Sequence, residues 1–178
     1  MSLTPDHLPW FALQVKPRFE KNAAFLLTEK GFDVFLPLSS CRRQWRHKVV
    51  TLELPLFPGY LFCRFNPNNR LLVLTTMGVS GVVTVSRVPA CIPDVEIENV
   101  RRVVEHGRSL KAMPYVSGQT IRVLDGPLRG VEGVVVSAKK KNRIVVSINL
   151  LQRSVSAEIE LWQTAPATSS VAVSGGRR

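Results

Sequence analysis

The chain has 178 residues, 45% of them hydrophobic and 21% charged, which predicts one ordinary globular domain or two small ones. No apolar run approaches the roughly 18 residues of a membrane helix, and the three cysteines form no CxxC pair, which excludes a membrane span, a disulfide framework and a zinc site. The net charge of +11 instead favours a polyanionic partner, with nucleic acid first and an anionic membrane surface second.

Strands and helices alternate through the first part of the chain. Residues 10–16 predict a strand, and a helix follows that Pro17 begins and Gly31 ends. Residues 32–38 predict a second strand, and the basic stretch CRRQWRHK leads into further apolar segments. This alternation indicates a sheet with helices packed on it.

A short helix and a longer one are predicted after residue 66. The turn at 66–69 starts the short helix, and residues 79–85 return to strand. The longer helix begins at Pro93-Asp94 and ends at Gly107. We assign Leu71, Leu72 and Leu74 of the short helix, and Ile97, Val100, Val103 and Val104 of the longer one, to the inward side. The element order predicts an α+β fold with an antiparallel sheet flanked by helices.

The second part of the chain has a different pattern. Short β-rich segments recur about 8 to 12 residues apart, which is typical of a small all-β barrel. We therefore predict a first domain at 8–106, a linker at 107–117, a second domain at 118–165 and a disordered tail at 166–178.

Residues that could carry catalysis are scattered. His7, His47 and His106 have no metal-ligand spacing, and no phosphate-binding loop or paired carboxylates are found. We therefore expect a binding protein, not an enzyme, with no metal and no cofactor.

A basic cluster surrounds Trp45 in the stretch at 41–48. Basic side chains neutralise phosphates, and an indole stacks on bases, so nucleic-acid binding is one interpretation. The other is a solvated hairpin tip with Trp45 packed beneath it. The basic residues of this cluster are Arg42, Arg43, Arg46 and Lys48, with His47 among them.

The stretch DGPLRGVEGVVV combines a turn with regularly spaced glycines. Glycine allows positive φ or close backbone approach, and the alternating valines after it predict a strand. The residues of this motif are Asp125, Gly126, Pro127, Gly130 and Gly133.

The stretch ELPLFPGYLFCRF at 53–65 is apolar on both faces of a predicted strand. Alternation assigns Leu61 and Cys63 to the core under the helices. Tyr60 and Phe62 then lie on the opposite face, which we expect to be uncovered and to bind a protein partner. Pro58-Gly59 is expected to set the start and the register of this strand.

Four motifs in order, WFALQVKPRFEKNAAFLL, LFPGYLFCRF, TTMGVSGVV and VSGQTIRVLDGPLRGVEGVVV, resemble the NusG family of transcription elongation factors. The resemblance runs from Trp10 to about Ala165. It implies a ferredoxin-like NusG N-terminal (NGN) domain, a linker and an SH3-like KOW barrel.

The resemblance implies binding to RNA polymerase at two points, the clamp helices and the gate loop, together with contact to the non-template DNA strand. The clamp-helix depression would comprise Tyr60, Phe62, Gln14, Val82 and Ile92, and the gate-loop contact Asn69 and Arg70. The DNA contacts would be Lys16, Arg18, Asn22, Thr75 and Thr76, and the basic cluster around Trp45 would provide further contacts to nucleic acid.

The second domain departs from the general family pattern at four positions that would bind further partners. Leu128 and Val131 stand where general members typically have phenylalanines, and Leu150 and Leu151 lie in a changed loop. These departures argue against binding to termination factor Rho and leave ribosomal protein S10 open as a partner. The chain is more similar to specialised antiterminators, often tied to long polysaccharide or secondary-metabolite operons.

We therefore expect a monomeric, cytoplasmic bacterial factor that suppresses pausing and promotes antitermination of specific operons. One alternative is a general factor that couples polymerase to Rho or the ribosome. An alternative of another class is a ribosome- or RNA-binding KOW protein that never contacts polymerase. The N-terminus has neither the basic region nor the apolar run of a signal peptide, which fits the cytoplasm.

Overall fold

The computed structural model of the chain describes residues 8–45, 48–114, 118, 120–138, 141–159 and 164–166. Its first part is an α+β unit. The elements of this unit are β1 (Trp10–Val15), α1 (Glu20–Glu29), β2 (Asp33–Phe35), β3 (Leu38–Trp45), β4 (Lys48–Pro55), β5 (Tyr60–Arg64), a 3-10 turn (Pro67–Asn69), α2 (Leu71–Leu74), β6 (Val79–Val82), β7 (Thr84–Val85), β8 (Val88–Pro89), β9 (Cys91–Ile92) and α3 (Asp94–His106).

The N-terminal sheet is antiparallel, with strand order β2-β5-β1-β6 and with β9 also paired to β1. Phe11 lies opposite Cys63, and Ala12 lies opposite Phe62. Because side chains alternate between the two faces of a strand, these pairs assign Phe11 and Cys63 to one face and Ala12 and Phe62 to the other. The predicted α+β fold with an antiparallel sheet is confirmed.

Helices cover the two faces differently. On one face, α1 contributes Ala23 and Leu27 to a buried cluster with Leu61 and Cys63. On the other face, the buried stripe of α3, Ile97, Val100 and Val103, belongs to a second cluster. Val104 packs against that cluster, so all four predicted inward positions of this helix are confirmed. The predicted opposition of Leu61 and Cys63 to Tyr60 and Phe62 is confirmed as well.

The inner side of α2 was predicted wrongly. Val73 is its one buried residue, whereas Leu71, Leu72 and Leu74 are 68%, 54% and 36% exposed. Successive residues of a helix are turned by about 100°, so a single turn presents only one position to the core.

The second part of the chain is an antiparallel sheet of six strands in the order β10-β14-β13-β12-β11-β15. We call it the C-terminal sheet. Between β13 and β14 lies a second 3-10 turn (Asn149–Leu151). The strands are β10 (Arg108–Pro114), β11 (Thr120–Val123), β12 (Glu132–Ala138), β13 (Lys141–Ile148), β14 (Arg153–Ile159) and β15 (Thr164–Pro166).

The predicted linker is largely wrong, because β10 occupies 108–114 of it. Ala112 lies opposite Val155 of β14, so backbone pairing with a distant strand makes this segment a strand despite its irregular composition. Only Gly107 separates β10 from α3. Residues 115–117 of the predicted linker and 167–178 of the predicted tail lie outside the described residues, and Pro166 ends β15.

The two parts of the chain share one hydrophobic cluster. Phe62 and Ile97 of the first part belong to it together with Ile144, Val146 and Val155 of the C-terminal sheet. Helix α3 packs against β13 and β14, while its Arg101 lies over the Trp10 ring of β1. Hence α3 joins the two parts by contact as well as by sequence. No helix in the described ranges has the length and hydropathy needed to cross a membrane.

Candidate functional site

The strand that carries the candidate site starts at a turn built on Gly59. Its φ of +82° is a conformation that glycine adopts readily and other residues resist. The Gly59 N–H donates to Glu20 Oε1 of α1 over 3.0 Å, and the Gly59 carbonyl accepts from the Val15 N–H over 2.9 Å. The turn is thus tied to α1 and to β1, which fixes where β5 begins.

Phe62 lies on the predicted face but is not an open surface residue. It is 0% exposed, and its ring lies 6.1 Å from the Phe35 ring in a stacked arrangement and 5.5 Å from the Phe57 ring edge-on. The expectation of an uncovered aromatic face is therefore wrong for this residue. The reason is that the shared cluster of α3 and the C-terminal sheet closes over the face.

Tyr60 is the more accessible of the two aromatic residues. It is half-buried, and the Arg153 guanidinium carbon of β14 lies 5.4 Å from its ring centre, a cation–π contact between the two parts of the chain. Gln14 lies directly opposite Tyr60 and is exposed. Ile92 is buried in the same cluster and lies opposite Trp10. Tyr60, Phe62, Gln14 and Ile92 therefore share one face, which we call the aromatic face.

Val82 was assigned to this face wrongly. It lies opposite Leu13 and packs against the cluster beneath α1, on the other side of the sheet. Its neighbour Val83 packs instead against the shared cluster that contains Phe62, and the sequence did not assign it to the site. An offset of one residue moves a side chain to the other face, and the alternation of Val82 and Val83 was the signal that could have separated them.

Polar contacts from one side of α3 connect it to the C-terminal sheet. Glu96 accepts two hydrogen bonds from Asn149, from the backbone N–H to Oε2 over 3.0 Å and from Nδ2 to Oε1 over 2.7 Å. The Glu132 N–H donates to Asn99 Oδ1 over 3.2 Å. Sequence reasoning missed these residues, because their partners are distant along the chain.

A third contact lies one turn further along the same side of α3. Arg102 donates from Nη1 to the Arg129 carbonyl over 3.1 Å, and its Nε donates to Glu98 within the helix over 2.9 Å. Arg102 is thus hydrogen-bonded both to α3 and to the C-terminal sheet. It extends the polar contacts of α3 toward the glycine-rich turn of that sheet.

The residues predicted to bind partners of the second domain are covered to a large extent. Leu128 is 6% exposed and Val131 is fully buried, and both belong to the shared cluster. Leu150 and Leu151 are partly buried and pack against that cluster. Leu128 and Val131 thus lie in the same cluster as Phe62, and Leu150 and Leu151 lie at its edge.

The glycines of the DGP motif have the geometry that the sequence predicts. Gly126 and Gly130 have φ of +82° and +86°, and the Gly130 N–H donates to the Val123 carbonyl over 2.8 Å to close the loop that contains Asp125 and Pro127. A side chain at Gly133 would place its Cβ 2.4 Å from the Val145 carbonyl oxygen. The first two glycines are required by backbone conformation and the third by close packing.

The basic cluster lies on a two-stranded hairpin of β3 and β4. Arg42 pairs with Thr51, and Trp45 pairs with Lys48 across the hairpin. Arg42 and Lys48 are exposed. Arg46 lies outside the described residues, as does the side chain of Arg43. The hairpin stands apart from the N-terminal sheet as a separate pair of strands, which gives its charges access to a partner.

The other residues predicted to contact nucleic acid or polymerase lie near the ends of α1 and α2. Thr76 does not belong with them: it is 3% exposed, and its hydroxyl donates to the Leu72 carbonyl over 2.9 Å while accepting from Lys30 over 2.7 Å. That hydroxyl is engaged in holding α2 against α1. The exposed members of this set are Lys16, Arg18, Asn22, Asn69, Arg70 and Thr75.

A cleft of about 450 Å³ lies beside the N-terminal end of α3 and was not predicted. Arg64 lies 4.8 Å from the Trp10 ring centre and pairs with Asp94 over 3.0 Å and with Asp33 over 3.5 Å. Arg101 lies 5.0 Å from the Phe35 ring centre. These ion pairs and ring contacts connect the sheet to α3. Because carboxylates lie beside the guanidinium groups, the cleft has no predominant sign of charge that would select a charged ligand.

Reactive groups show no catalytic arrangement within the described part of the chain. Burial and the nearby Asp33 raise the pKa of Cys63 to about 12, so the thiol stays protonated near neutral pH. Among the described residues, no three His, Cys, Asp or Glu side chains form a group that could hold a metal ion. The aromatic face and the exposed charges of the hairpin present surfaces suited to binding.

Comparison with known proteins agrees with this class of binding protein. A solved structure, "Domain interaction in Thermotoga maritima NusG", matches 93% of this chain and 100% of its own with a TM-score of 0.54 at 15% identity, which supports the fold. The family model described as "Transcription termination factor nusG" matches residues 8–101. The transcription termination/antitermination protein NusG of Pseudomonas aeruginosa is 34% identical over 170 residues, covering 86% of this chain and 96% of its own.

The chain belongs to the NusG family. A further relative, the NusG protein of Rickettsia bellii, is 26% identical and covers 74% of this chain and 70% of its own. The protein is thus a NusG-type transcription termination/antitermination factor, of a family that acts with RNA polymerase and does not consist of enzymes.

Proposed function

We propose that the protein is an operon-specific antitermination factor that binds RNA polymerase through its N-terminal unit and suppresses pausing. The aromatic face would contact the clamp helices, and Asn69 and Arg70, exposed before α2, would contact the gate loop. The basic hairpin and the exposed groups near α1 would contact the non-template DNA strand. In this proposal the C-terminal sheet is a KOW barrel and the protein works in the bacterial cytoplasm as a monomer.

One observation supports the operon-specific role over the general one. Leu128, Val131, Leu150 and Leu151 replace the residues that a general member would offer to Rho or to ribosomal protein S10. The first two lie in the cluster shared with the N-terminal unit, and the two leucines of the loop pack against it. Side chains that are already packed inside the protein are not free to bind a second partner. This supports a factor that does not couple polymerase constitutively to Rho or to the ribosome.

A general NusG role is the second candidate. It is favoured by the relatives themselves, since the NusG proteins of Pseudomonas aeruginosa and Rickettsia bellii match most of the chain. A KOW protein that binds ribosomes or RNA without polymerase is supported less well, because it leaves the aromatic face without a role.

Transcription in vitro separates these candidates. Bacterial RNA polymerase is followed through a pause site and a Rho-dependent terminator, with and without the full chain, on a template with and without a chosen operon leader. Shorter pauses and read-through that depend on that leader are expected. Equal effects on both templates would contradict the specialised role, and the absence of any effect would contradict both polymerase-binding roles.

A pull-down with the full chain adds an independent measurement. We expect retention of RNA polymerase and little retention of purified Rho or S10. Robust retention of Rho or S10 by the resting protein would favour the general role, and retention of ribosomes without polymerase would favour the third candidate.

A further inference from the structure

Helix α2 is a single turn, and its position determines that of the two residues before it. The Arg70 carbonyl accepts from the Val73 N–H over 3.1 Å and from the Leu74 N–H over 3.0 Å. On the other side, the Asn69 N–H donates to the Asn66 carbonyl over 2.9 Å within the 3-10 turn. Asn69 and Arg70 therefore belong to one short ordered segment, and that segment faces in the direction that α2 gives it.

A single helical turn needs support from its neighbours, because it forms too few hydrogen bonds to be stable alone. In α2 only Val73 is buried, and it belongs to the same apolar cluster as Leu27 of α1. One buried side chain fixes how closely α2 approaches α1. It leaves α2 free to turn about that point unless a second contact holds it.

Lys30, directly after α1, provides this second contact. Its Nζ donates to the Leu72 carbonyl over 3.0 Å and to the Thr76 hydroxyl over 2.7 Å, and that hydroxyl donates to the Leu72 carbonyl over 2.9 Å. The last carbonyls of a helix have no partner within the helix, so the ammonium supplies a charged donor where α2 leaves an acceptor open. We call these hydrogen bonds the Lys30 contact.

The base of Lys30 is itself held in place by α1. Ala23 and Leu27 of this helix are fully buried, and the Lys30 N–H donates to the Leu27 carbonyl over 3.1 Å. The Lys30 side chain therefore starts from a fixed point on the core of the N-terminal unit and reaches the C-terminal end of α2.

We propose that Lys30 is a positioning residue for polymerase binding: by holding α2 against α1, it fixes the direction in which Asn69 and Arg70 face the gate loop. This proposal rests on the proposed function, which takes those two residues to contact that loop. A segment that is already held in its bound orientation loses less conformational freedom on binding, so the Lys30 contact raises the affinity without touching the partner. Because Lys30 is exposed, its contribution to the stability of the whole fold is small.

The substitution Lys30→Met tests the contact in the full chain, since it keeps an unbranched apolar side chain and removes the ammonium group. The readout is amide hydrogen exchange at Leu74 and Thr75, whose N–H groups donate to the Arg70 and Leu71 carbonyls. Exchange at these two amides should accelerate roughly fivefold, while amides within β1 and β5 keep their rates. Lys30→Arg keeps a charged donor and should retain most of the protection.

Lys21→Met is the matched control, because it removes the same charge from the same helix. The Lys21 Nζ pairs with Glu53 over 2.9 Å and makes its contact with β4 instead of α2. Exchange at Leu74 and Thr75 should therefore be unchanged in this variant. Unchanged exchange in Lys30→Met, or an equal acceleration in Lys21→Met, would overturn the role of the Lys30 contact.

Bacterial RNA polymerase with and without its gate loop then separates positioning from a general loss of structure. The measured quantity is the protein concentration that gives half of the maximal shortening of a pause. With intact polymerase, Lys30→Met should require roughly a fivefold higher concentration than the unsubstituted chain, whereas Lys21→Met and Lys30→Arg should require nearly the same. With polymerase that lacks the gate loop, Lys30→Met and the unsubstituted chain should act at equal concentrations.

Three results would contradict the proposal, and they differ in what they leave standing. A fivefold difference that persists without the gate loop would show that Lys30 acts elsewhere, and faster exchange without any loss on intact polymerase would show that the orientation of α2 does not matter for binding. If deletion of the gate loop left the unsubstituted chain unaffected, the gate-loop contact of the proposed function would be refuted, and the positioning role with it. The exchange result would still establish the contact between the two helices.

Discussion

The Arg153 guanidinium carbon lies 5.4 Å from the centre of the Tyr60 ring, so the C-terminal sheet touches the N-terminal sheet at the more accessible of the two aromatic residues of the aromatic face. Phe62, two residues further along β5, lies deeper and is fully buried. The two aromatic residues share one face but differ in burial: Phe62 is packed inside the fold, and Tyr60 keeps part of its surface accessible.

Phe62→Ala should destabilise the fold strongly. It removes a ring that packs against Phe35 and Phe57, and a truncation of this kind costs about 3–5 kcal/mol. Denaturant unfolding measures this cost. Phe25→Ala is the matched control, because Phe25 is 62% exposed and its loss should change the stability by less than about 0.5 kcal/mol. Equal stabilities of the two variants would contradict the burial of Phe62.

Tyr60→Ala should weaken polymerase binding while leaving the fold in place, because the side chain is only partly buried. The substitution also removes the contact with Arg153. We expect roughly a tenfold loss of affinity for RNA polymerase, the size typical of an aromatic residue at an interface. Tyr60→Phe keeps the ring and should retain most of the affinity, and equal binding by all three proteins would exclude Tyr60 from the interface.

Charges on the β3–β4 hairpin should contribute to the salt dependence of binding to the transcription complex. Each phosphate contact to a single DNA strand contributes about 0.7 to the slope of log affinity against log salt, so Arg42→Gln with Lys48→Gln should make the slope shallower by about 1.4. The matched control is Lys111→Gln with Arg129→Gln, which removes two exposed charges from the C-terminal sheet. The same change in both pairs would contradict a specific role of the hairpin.

Gly133→Ala should destabilise the C-terminal sheet. The new methyl group would lie 2.4 Å from the Val145 carbonyl oxygen, and backbone of a paired strand moves only at the expense of its hydrogen bonds. We expect a loss of about 1–3 kcal/mol in thermal or denaturant unfolding. Gly81→Ala is the control, because the nearest atom to its new Cβ, Gln14 Oε1, is 3.8 Å away. A larger loss for Gly81→Ala would contradict this packing.

Cys63 should resist alkylation in the folded protein. Its pKa is raised to about 12 by burial, so at pH 8 the reactive thiolate is a very small fraction of the thiol. Iodoacetamide followed by mass spectrometry should label Cys91, which is exposed, and spare Cys63 until denaturant is added. Labelling of both at similar rates in the native protein would contradict the position of Cys63 beneath α1.

Local patterns predicted much of this architecture. Alternation along β5 separated Leu61 and Cys63 from Tyr60 and Phe62, and the helical period of α3 identified its buried stripe, because these properties depend on neighbouring residues. The motif glycines were predicted for the same reason.

What covers the aromatic face could not be predicted in this way. The Glu96–Asn149 pair joins residues 53 positions apart, and no periodicity marks either of them. Strand β10 was missed because its partner, β14, follows it by about forty residues and supplies the pairing that its own composition does not suggest. The burial of Phe62 follows from this long-range packing.

The direct passage from α3 through Gly107 into β10 determines where the chain can be divided. A C-terminal fragment that started at Gly118, at the boundary suggested by composition, would lack β10 and leave the hydrogen-bonding edge of β14 open. Such an edge promotes self-association. A fragment that started at Gly107 would keep the strand, but the remaining piece would expose the polar side of α3 and the aromatic face together. Each isolated half would therefore expose apolar surface that the intact chain keeps buried.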